Sequence, residues 1–365
     1  MKILYVTTIS NTMGFFTSHI NMLLDKGHTV DMACNLVKPI NSQLIERGCK
    51  IYQMDFSRTP LNRTNYKAYK DLKKLILEEK YDLVHTHTPV ASAITRLVCK
   101  NIKGTKVFYT AHGFHFHKGA PIKNWLIYYP LEKWLAKYTD TLITINKEDY
   151  ERAKSKFKAK RVEYIPGVGL DIDKFKNVVV DKVGKRQELS LPEDAFVILS
   201  VGELNKNKNH EVVIRAIAKI KNPDIHYLVC GKGNLDGHLR NLSKELGLED
   251  QVHLLGFRKD IPEICKISDV FAFPSYREGL GMAALEAMAC GLPIITSNVH
   301  GIVDYSIDGE TGYNCSPTDV DSFSKYIKNL YLDIEKRNRM TANNIEAVKK
   351  FNQLNVLNLM EQIYT

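Results

Sequence analysis

The chain has 365 residues, too many for one ordinary hydrophobic core, and its 44% apolar and 25% charged content is typical of globular proteins. No apolar run reaches about 18 residues and no secretory signal pattern opens the chain, which predicts a cytoplasmic protein without a membrane span. Seven single cysteines without a C-x-x-C pair argue against a disulfide framework, and no known nucleic-acid-binding motif accompanies the net charge of +10.

Short β-branched or aliphatic runs alternate with amphipathic stretches of helical length, a pattern that predicts parallel sheets with crossover helices. Six strands are predicted in the first half, at residues 2–8, 28–33, 50–54, 82–86, 106–110 and 141–145. Five are predicted in the second half, at residues 196–202, 225–231, 252–256, 270–275 and 293–297. The sequence therefore predicts an α/β protein with two Rossmann-like domains and ligand sites in the strand-to-helix loops.

The domain boundaries follow from where these patterns stop. The first domain is predicted at 1–168 and the second at 191–345. Between them, residues 169–190 are polar and Lys-rich without a helical or strand period, which indicates a linker. Residues 346–365 predict a C-terminal helix whose apolar face packs back on the first domain.

The segment REGLGMAALEAMACGLPII at 277–295 has the pattern of a diphosphate-binding helix start. Gly279 and Gly281 precede the helix, whose first N–H groups and positive dipole end suit an anion. Glu278 and Glu286 can accept hydrogen bonds from hydroxyl groups, as the sugar and the ribose of a nucleotide sugar would require. Taken by itself, Glu286 is better explained as an ordinary helix-surface glutamate, and only its surroundings favour the ribose-binding role.

The chain resembles glycosyltransferase family 4, a group of retaining nucleotide-sugar transferases with the GT-B fold. The resemblance rests on the two glutamates, on Gly14, and on the segments TAHG (110–113), IPGVGLDIDKF (165–175), VGELNKNKNH (201–210), LLGFRKDI (254–261) and GIVDYSIDGETGYNC (301–315). It implies two Rossmann-like domains facing across a cleft, with the acceptor on the first and the nucleotide sugar on the second.

The resemblance also implies a set of donor-binding residues. One departure stands out, because Glu203 occupies the position where the family has a phosphate-binding Arg, while the Lys five residues on is present as Lys208. A carboxylate cannot bind phosphate, so the positive charge must come from Lys206, Lys208 or Arg277. Glu203 could orient one of these three cations. The implied donor-binding residues are Gly14, Glu203, Lys206, Arg258, Gly279, Leu280, Gly281 and Glu286, and the implied catalytic residues are His112, Glu278 and Lys208.

Histidines cluster in the first half. His112 matches the family histidine near the donor sugar, although a core histidine is the alternative. The spacing of His85, His87, His115 and His117 allows a metal site, but alternate strand residues share a face, which favours an acceptor-side lining. Asp171-Ile172-Asp173 spells D-x-D, yet it falls in a segment where an aspartate usually serves a turn. No metal and no other cofactor is expected beside the UDP-sugar co-substrate.

The first half is also strongly basic. Residues 1–180 carry 29 Lys and Arg against 16 Asp and Glu, whereas residues 181–365 carry 22 against 25. A run at 154–161 holds five of these cations, and residues 114–134 are rich in aromatic side chains among lysines. This pattern predicts peripheral attachment to an anionic membrane, on the inner face of the cytoplasmic membrane, with a solvated or core helix as the alternative.

The resemblance, together with the basic first half, implies retaining transfer of an N-acetylhexosamine or hexose from a UDP-sugar to a polyprenyl-diphosphate-linked saccharide, in capsule or exopolysaccharide biosynthesis. A UDP-sugar epimerase of the same fold and a non-catalytic nucleotide-sugar or glycan-binding protein are the alternatives. A nicotinamide-dependent oxidoreductase is excluded because no G-x-G-x-x-G follows the first strand.

Overall fold

A computed structural model describes residues 1–365 as two compact units. Unit 1 comprises Met1–Gly169 together with Leu354–Thr365, and unit 2 comprises Leu170–Gln353. No helix of the protein combines the length and the apolar composition needed to cross a membrane.

Unit 1 is built on a seven-stranded sheet in which all neighbouring strands are parallel. Its strands are β1 (Lys2–Ile9), β2 (Thr29–Asn35), β3 (Ile51–Gln53), β4 (Leu83–His87), β5 (Lys106–Ala111), β6 (Thr141–Thr144) and β7 (Arg161–Tyr164). Its first helices are α1 (Ser10–Met13), α2 (Thr17–Asp25), α3 (Ser42–Glu46), α4 (Thr64–Glu79), α5 (Pro89–Cys99), α6 (Ile122–Leu135) and α7 (Lys147–Lys156). The central strands are buried along most of their length because helices cover both faces of the sheet, and β1 has six consecutive buried residues.

The strand order in unit 1 is β3-β2-β1-β4-β5-β6-β7. The direction of winding therefore reverses between β1 and β4, which pair in register from Ile3 with Leu83 to Val6 with Thr86. In open α/β sheets ligands bind outside the carboxyl ends of the strands at such a switch point. The loops after β1 and β4 are thus the expected binding region of this unit.

Unit 2 repeats the plan with a six-stranded parallel sheet, in the order β10-β9-β8-β11-β12-β13. Its strands are β8 (Phe196–Val201), β9 (Ile225–Cys230), β10 (Val252–Gly256), β11 (Val270–Phe273), β12 (Ile294–Ser297) and β13 (Gly312–Cys315). Its helices are α8 (Asp173–Lys176), α9 (Lys182–Glu188), α10 (His210–Ile220), α11 (Asp236–Glu245), α12 (Ile261–Ile267), α13 (Met282–Ala289), α14 (Val320–Leu332) and α15 (Ile334–Ala347). Here the switch point lies between β8 and β11.

Two segments differ from the sequence-based expectation. Residues 169–190, predicted to be an irregular linker, contain α8 and α9 and belong almost entirely to unit 2. Residues 346–365, predicted to be one helix, contain the end of α15, a 3-10 turn at Val348–Phe351 and the last helix, α16 (Gln353–Tyr364).

Helix α16 completes unit 1. Its buried residues Val356, Met360, Ile363 and Tyr364 lie three to four residues apart, the spacing of one helical face. The Tyr364 hydroxyl lies 2.6 Å from the Tyr5 hydroxyl of β1 and also bonds to the Nδ1 atom of His85. These buried hydrogen bonds tie the last helix to the middle of the first sheet.

Candidate functional site: a charged pair at the switch point of unit 2

The loops after β8 and β11 are held together by backbone and amide hydrogen bonds. The Tyr276 N–H donates to the Asn207 carbonyl at 2.8 Å, and the Asn207 side chain donates to the Arg277 carbonyl at 3.0 Å. The Asn209 side chain donates to the Pro274 carbonyl at 3.1 Å. The two loops therefore form one preorganised surface at the predicted ligand position.

Lys208 and Glu278 form an ion pair between these loops. The Lys208 Nζ donates to Glu278 Oε1 at 2.6 Å and lies 4.7 Å from the centre of the Phe273 ring. Their side chains are only 20% and 14% exposed, so solvent screens the pair weakly. A carboxylate accepts more than one hydrogen bond and an ammonium donates three, so both groups can bind a ligand without separating.

Gly281 precedes α13 in a conformation that favours glycine. Its φ is +89°, and a Cβ atom would lie 2.5 Å from the Cε1 atom of Phe273. No side chain caps this helix, and the Ala284 N–H donates to the Gly281 carbonyl at 3.1 Å, so the first-turn N–H groups left for an anion are those of Met282 and Ala283. Leu280 is buried, which leaves only its backbone for ligand contact and limits the donor-binding role predicted for it.

The segment after β12 packs against the residues that precede α13. Gly301 donates its N–H to the Glu278 carbonyl at 3.2 Å, and a Cβ atom at Gly301 would collide with the Gly279 carbonyl. The Tyr305 hydroxyl is fully buried without a hydrogen-bond partner, and it would lie 3.1 Å from a Cβ atom at Gly281. Sequence reasoning missed Tyr305, whose only sequence signal is its place in the GIVDYSIDGETGYNC motif.

Glu286 lies in the second turn of α13 with its carboxyl group largely removed from solvent. Burial raises the pKa of Glu286 to about 7, and the positive charge of Lys174 opposes that rise. The group is not an ordinary surface glutamate, because such a residue would keep its carboxylate in water. A carboxyl in this environment gains from hydrogen bonds that stabilise its charged form.

Other predicted donor residues lie apart from this pair. Glu203 and Lys206 are exposed and form no ion pair, so Glu203 does not orient Lys208 in the way proposed. Arg258 is bound by two carboxylates: its Nε donates to Asp260 at 2.8 Å and its Nη2 to Glu188 at 2.5 Å. The Arg258 guanidinium holds the pKa of Asp260 down at about 2. Its charge is therefore already neutralised by protein carboxylates, and the donor-binding role that the resemblance implies for Arg258 stays a prediction.

A further cation, missed in the sequence, lies on the loop after β9. Lys232 stands between Gly231 and Gly233, and a Cβ atom at either glycine would collide with the backbone of the loop after β8. Leu204 donates its N–H to the Lys232 carbonyl at 3.1 Å. The G-K-G pattern directly after a strand was the available signal, because it marks a close backbone approach.

Histidines in unit 1

His112 follows β5 and belongs to a group of stacked rings in unit 1. Its Nε2 atom lies 3.2 Å from the Nδ1 atom of His87, and the Phe16 ring lies 3.9 Å from the His87 ring. Burial lowers the pKa of His112 to about 4, so the ring is neutral at physiological pH. A neutral His112 can donate or accept a hydrogen bond but does not exchange a proton near pH 7.

Two of the predicted acceptor-side histidines lie in the core. His85 is fully buried, and its ring nitrogens bond to the hydroxyls of Tyr364 and of Thr110, the latter at 2.8 Å. His87 is 1% exposed and stacks between rings. Their burial argues against direct contact with an acceptor, because the H-T-H pattern ends a central strand that is covered on both faces, and their acceptor role stays a prediction.

The other two histidines lie on an irregular loop rather than a strand. His117 is buried and donates from Nδ1 to the Lys118 carbonyl at 3.0 Å. His115 is half-buried and stacks on Tyr128 at 4.6 Å. Asp171 of the D-x-D sequence accepts the Lys174 N–H at 3.3 Å and so serves the turn that begins α8. No group of three or more His, Cys, Asp or Glu side chains is arranged as a metal site.

The structure shows how the basic run and the aromatic segment of unit 1 are placed. In the run at 154–161, Lys160 pairs with Asp140 and Arg161 pairs with Glu163, which reduces its net positive field. Helix α6 has two apolar sides: Trp125, Tyr128 and Tyr129 pack inward on a cluster around Phe116. The exposed large apolar residues of its other side are Ile122, Leu126, Ile127, Leu131 and Trp134.

Family membership

Comparison with known proteins identifies the family. The profile described as "Glycosyl transferases group 1" matches residues 181–347, and that described as "Glycosyl transferase 4-like" matches residues 2–146. "Putative glycosyltransferase EpsD" of Bacillus subtilis is 38% identical over 86% of this chain and 84% of its own length. The chain belongs to this glycosyltransferase family. The enzyme class and the family predicted from the motifs are thereby confirmed.

Further similarities agree with this glycosyltransferase assignment. The "UDP-Gal:alpha-D-GlcNAc-diphosphoundecaprenol alpha-1,3-galactosyltransferase" of Escherichia coli is 30% identical over 86% of this chain and 83% of its own. The structure of Anabaena Alr3699/HepE in complex with UDP and glucose superposes with a TM-score of 0.82 at 19% identity, covering 100% of this chain and 99% of the other. These structural similarities confirm the GT-B fold.

Proposed function

We propose that this glycosyltransferase moves an N-acetylhexosamine or a hexose from a UDP-sugar, with retention, to a polyprenyl-diphosphate-linked saccharide in capsule or exopolysaccharide biosynthesis. The observation that carries the proposal is the ion pair of Lys208 and Glu278, 2.6 Å apart, ahead of the uncapped start of α13. The E. coli relative supports it, since its name specifies a UDP-sugar donor and a diphosphoundecaprenol acceptor.

The donor diphosphate binds the first-turn N–H groups of α13 and the Lys208 ammonium. Glu286 accepts the ribose hydroxyls, and Glu278 accepts hydroxyls of the transferred sugar while it holds Lys208 in place. Lys206, Lys232 and Arg277 are the remaining cations of the loops after β8, β9 and β11, where Glu203 replaces the arginine that the family pattern has. Gly14 leaves open space after β1, because a Cβ atom there would meet nothing within 4 Å.

Transfer proceeds on one face of the sugar. The bond from the anomeric carbon to the leaving phosphate oxygen breaks, the bond to the acceptor oxygen forms, and the acceptor proton passes to the leaving diphosphate. The protein holds the reactants in place and stabilises the developing negative charge with Lys208 and the α13 N–H groups. Neutral His112 contributes a hydrogen bond to the sugar. No metal is required, since these groups supply the positive charge.

The exposed side of α6 attaches unit 1 to the membrane surface. Its apolar residues Ile122, Leu126 and Trp134 lie at spacings of four and eight residues on one face, and Lys123, Lys133 and Lys137 flank them. Unit 1 carries 27 Lys and Arg against 15 Asp and Glu, a net charge of +12 that complements anionic lipid.

The activity is tested by incubating the protein with a panel of UDP-sugars and a prenyl-diphosphate-linked sugar acceptor. We expect UDP release that depends on the acceptor, and a product whose anomeric configuration by NMR matches that of the donor. Epimerised sugar from donor alone would identify an epimerase instead. Failure of every donor to release UDP would refute the proposal.

Membrane attachment is tested by co-sedimentation with vesicles containing anionic phospholipid. Leu126→Asp should abolish sedimentation and leave the melting temperature unchanged, because Leu126 is 72% exposed. Leu61→Asp is the matched control, since Leu61 is 95% exposed in the loop before α4. Equal binding of both variants would refute the role of α6.

A further inference from the structure

A cavity of about 300 Å³ opens in unit 1 among the ends of β1 and β4, where the winding of the sheet reverses. Its volume lies at the lower end of the range for small-molecule sites. The polar side chains around it belong to Thr8, Thr12, Arg58, Thr88, His115 and Tyr128. The cavity lies outside the donor residues described above, all of which except Gly14 and His112 belong to unit 2.

Arg58 is the only residue with a permanent charge around this cavity. It is exposed and forms neither an ion pair nor a hydrogen bond within the protein, and no carboxylate lines the cavity. A guanidinium matches phosphate through two parallel N–H···O bonds. The cavity is therefore suited to an anion, and to phosphate in particular.

The opposite wall is formed by the beginning of α5. Thr88 has a φ of +68°, which is rare for a β-branched residue, and its hydroxyl accepts the Thr8 N–H at 3.1 Å. Its hydroxyl also lies 2.7 Å from that of Thr8, so the ends of β1 and β4 are joined directly. Val90, in the first turn of the eleven-residue α5, also lines the cavity, and no side chain caps this helix start.

The cavity borders α6 through Tyr128, which stacks on His115 at 4.6 Å. The exposed residues nearest to Tyr128 along that helix are all apolar, namely Ile127, Pro130 and Leu131. An anion-binding cavity thus adjoins an exposed apolar helix. This combination suits a ligand with a phosphate-bearing head and a long apolar chain.

We infer that this cavity binds the diphosphate-bearing head of the lipid-linked acceptor, with Arg58 paired to phosphate and the prenyl chain leaving along α6. The inference rests on the proposed function for the class of acceptor. It assigns the acceptor to the switch point of unit 1 and replaces the buried His85 and His87 with Arg58 as the recognition residue.

The test measures binding of a short-chain prenyl diphosphate carrying an N-acetylhexosamine, by calorimetry, to the full-length protein. Arg58→Ala should raise the dissociation constant about 10- to 100-fold, the range for a lost charge-assisted hydrogen bond. Arg58→Lys should recover part of this loss, because it keeps the charge without the planar fork. Arg63→Ala removes an exposed cation from the same loop and should bind as the wild type does.

Unchanged binding by Arg58→Ala, or equal weakening by Arg63→Ala, would overturn the inference. Inorganic diphosphate that binds as tightly as the lipid probe would also overturn it, because the cavity would then be a phosphate site without acceptor recognition. A third outcome separates the two proposals. If the lipid probe binds in an Arg58-dependent way but the wild-type protein transfers no sugar to any acceptor, the cavity assignment is supported and only the proposed function is refuted.

Discussion

The buried carboxyl group of Glu286 leads to a pH dependence of donor binding. Its pKa is raised to about 7 by burial, so about one tenth of the molecules carry the carboxylate at pH 6 and about nine tenths at pH 8. Ribose hydroxyls donate hydrogen bonds, and the carboxylate is the better acceptor. If only that form binds, the apparent dissociation constant should be about tenfold higher at pH 6 than at pH 8.

The assay is calorimetric titration with a UDP-sugar between pH 6 and pH 8. A UDP-sugar is preferable to UDP, whose terminal phosphate itself titrates near pH ~6. Glu286→Gln should bind more weakly and without this pH dependence. Glu245→Gln, on the exposed side of α11 in the same unit, should retain the wild-type profile.

Stability supplies an independent readout of the same group. Because the folded-state pKa lies above the ordinary value of 4.5, the folded protein holds a proton that the unfolded chain has released between these two values. The resulting stabilisation is fully present below pH 4.5 and is lost as pH rises through about 7, a change of roughly 3 kcal/mol. The free energy of unfolding of the wild type should therefore fall between pH 4.5 and pH 8 relative to that of Glu286→Gln, which does not titrate at this position.

Two results would refute this reasoning. One is a flat affinity for the UDP-sugar between pH 6 and pH 8 in the wild type. The other is a Glu286→Gln variant that retains the wild-type pH profile, which would assign the titration to another group.

Three further predictions concern the two units. Lys208→Ala should weaken UDP-sugar binding about 10- to 100-fold by calorimetry, while Lys244→Ala on α11 should not; equal effects would remove Lys208 from the site. His112→Ala should lower kcat about a hundredfold. The pH dependence of kcat near pH 6.5 should not change, because burial already lowers the pKa of His112 to about 4 and the ring is neutral there. Loss of a titration near pH 6.5 in the variant would contradict a neutral role. Gly281→Ala should lower the free energy of unfolding by about 2–4 kcal/mol in urea titrations, because φ at this position is +89° and the new Cβ atom would collide with Phe273. Gly14→Ala is the control and should not destabilise the protein, since a Cβ atom there meets nothing within 4 Å. Equal stability of the two variants would refute the requirement for glycine at 281.

The periodicity of the sequence identified eleven of the thirteen strands, and hence the two parallel sheets. The missed strands, β7 and β13, are four-residue strands at sheet edges, where sequences as short as RVEY and GYNC carry little pattern. The order of the motifs predicted the family, because Gly279, Gly281, Glu278 and Glu286 keep their spacing on one loop and one helix. Such local features are encoded by neighbouring residues and are readable without the fold.

Contacts between distant residues were decided only by the tertiary structure. Lys208 and Glu278 are 70 positions apart, and their pairing depends on β8 and β11 being neighbours in the sheet. The pairing of Arg258 with Glu188, also 70 positions away, likewise depends on the fold. Burial was decided in the same way, since His85 is fully buried on a strand covered on both faces, whereas Arg58 is exposed beside a cavity.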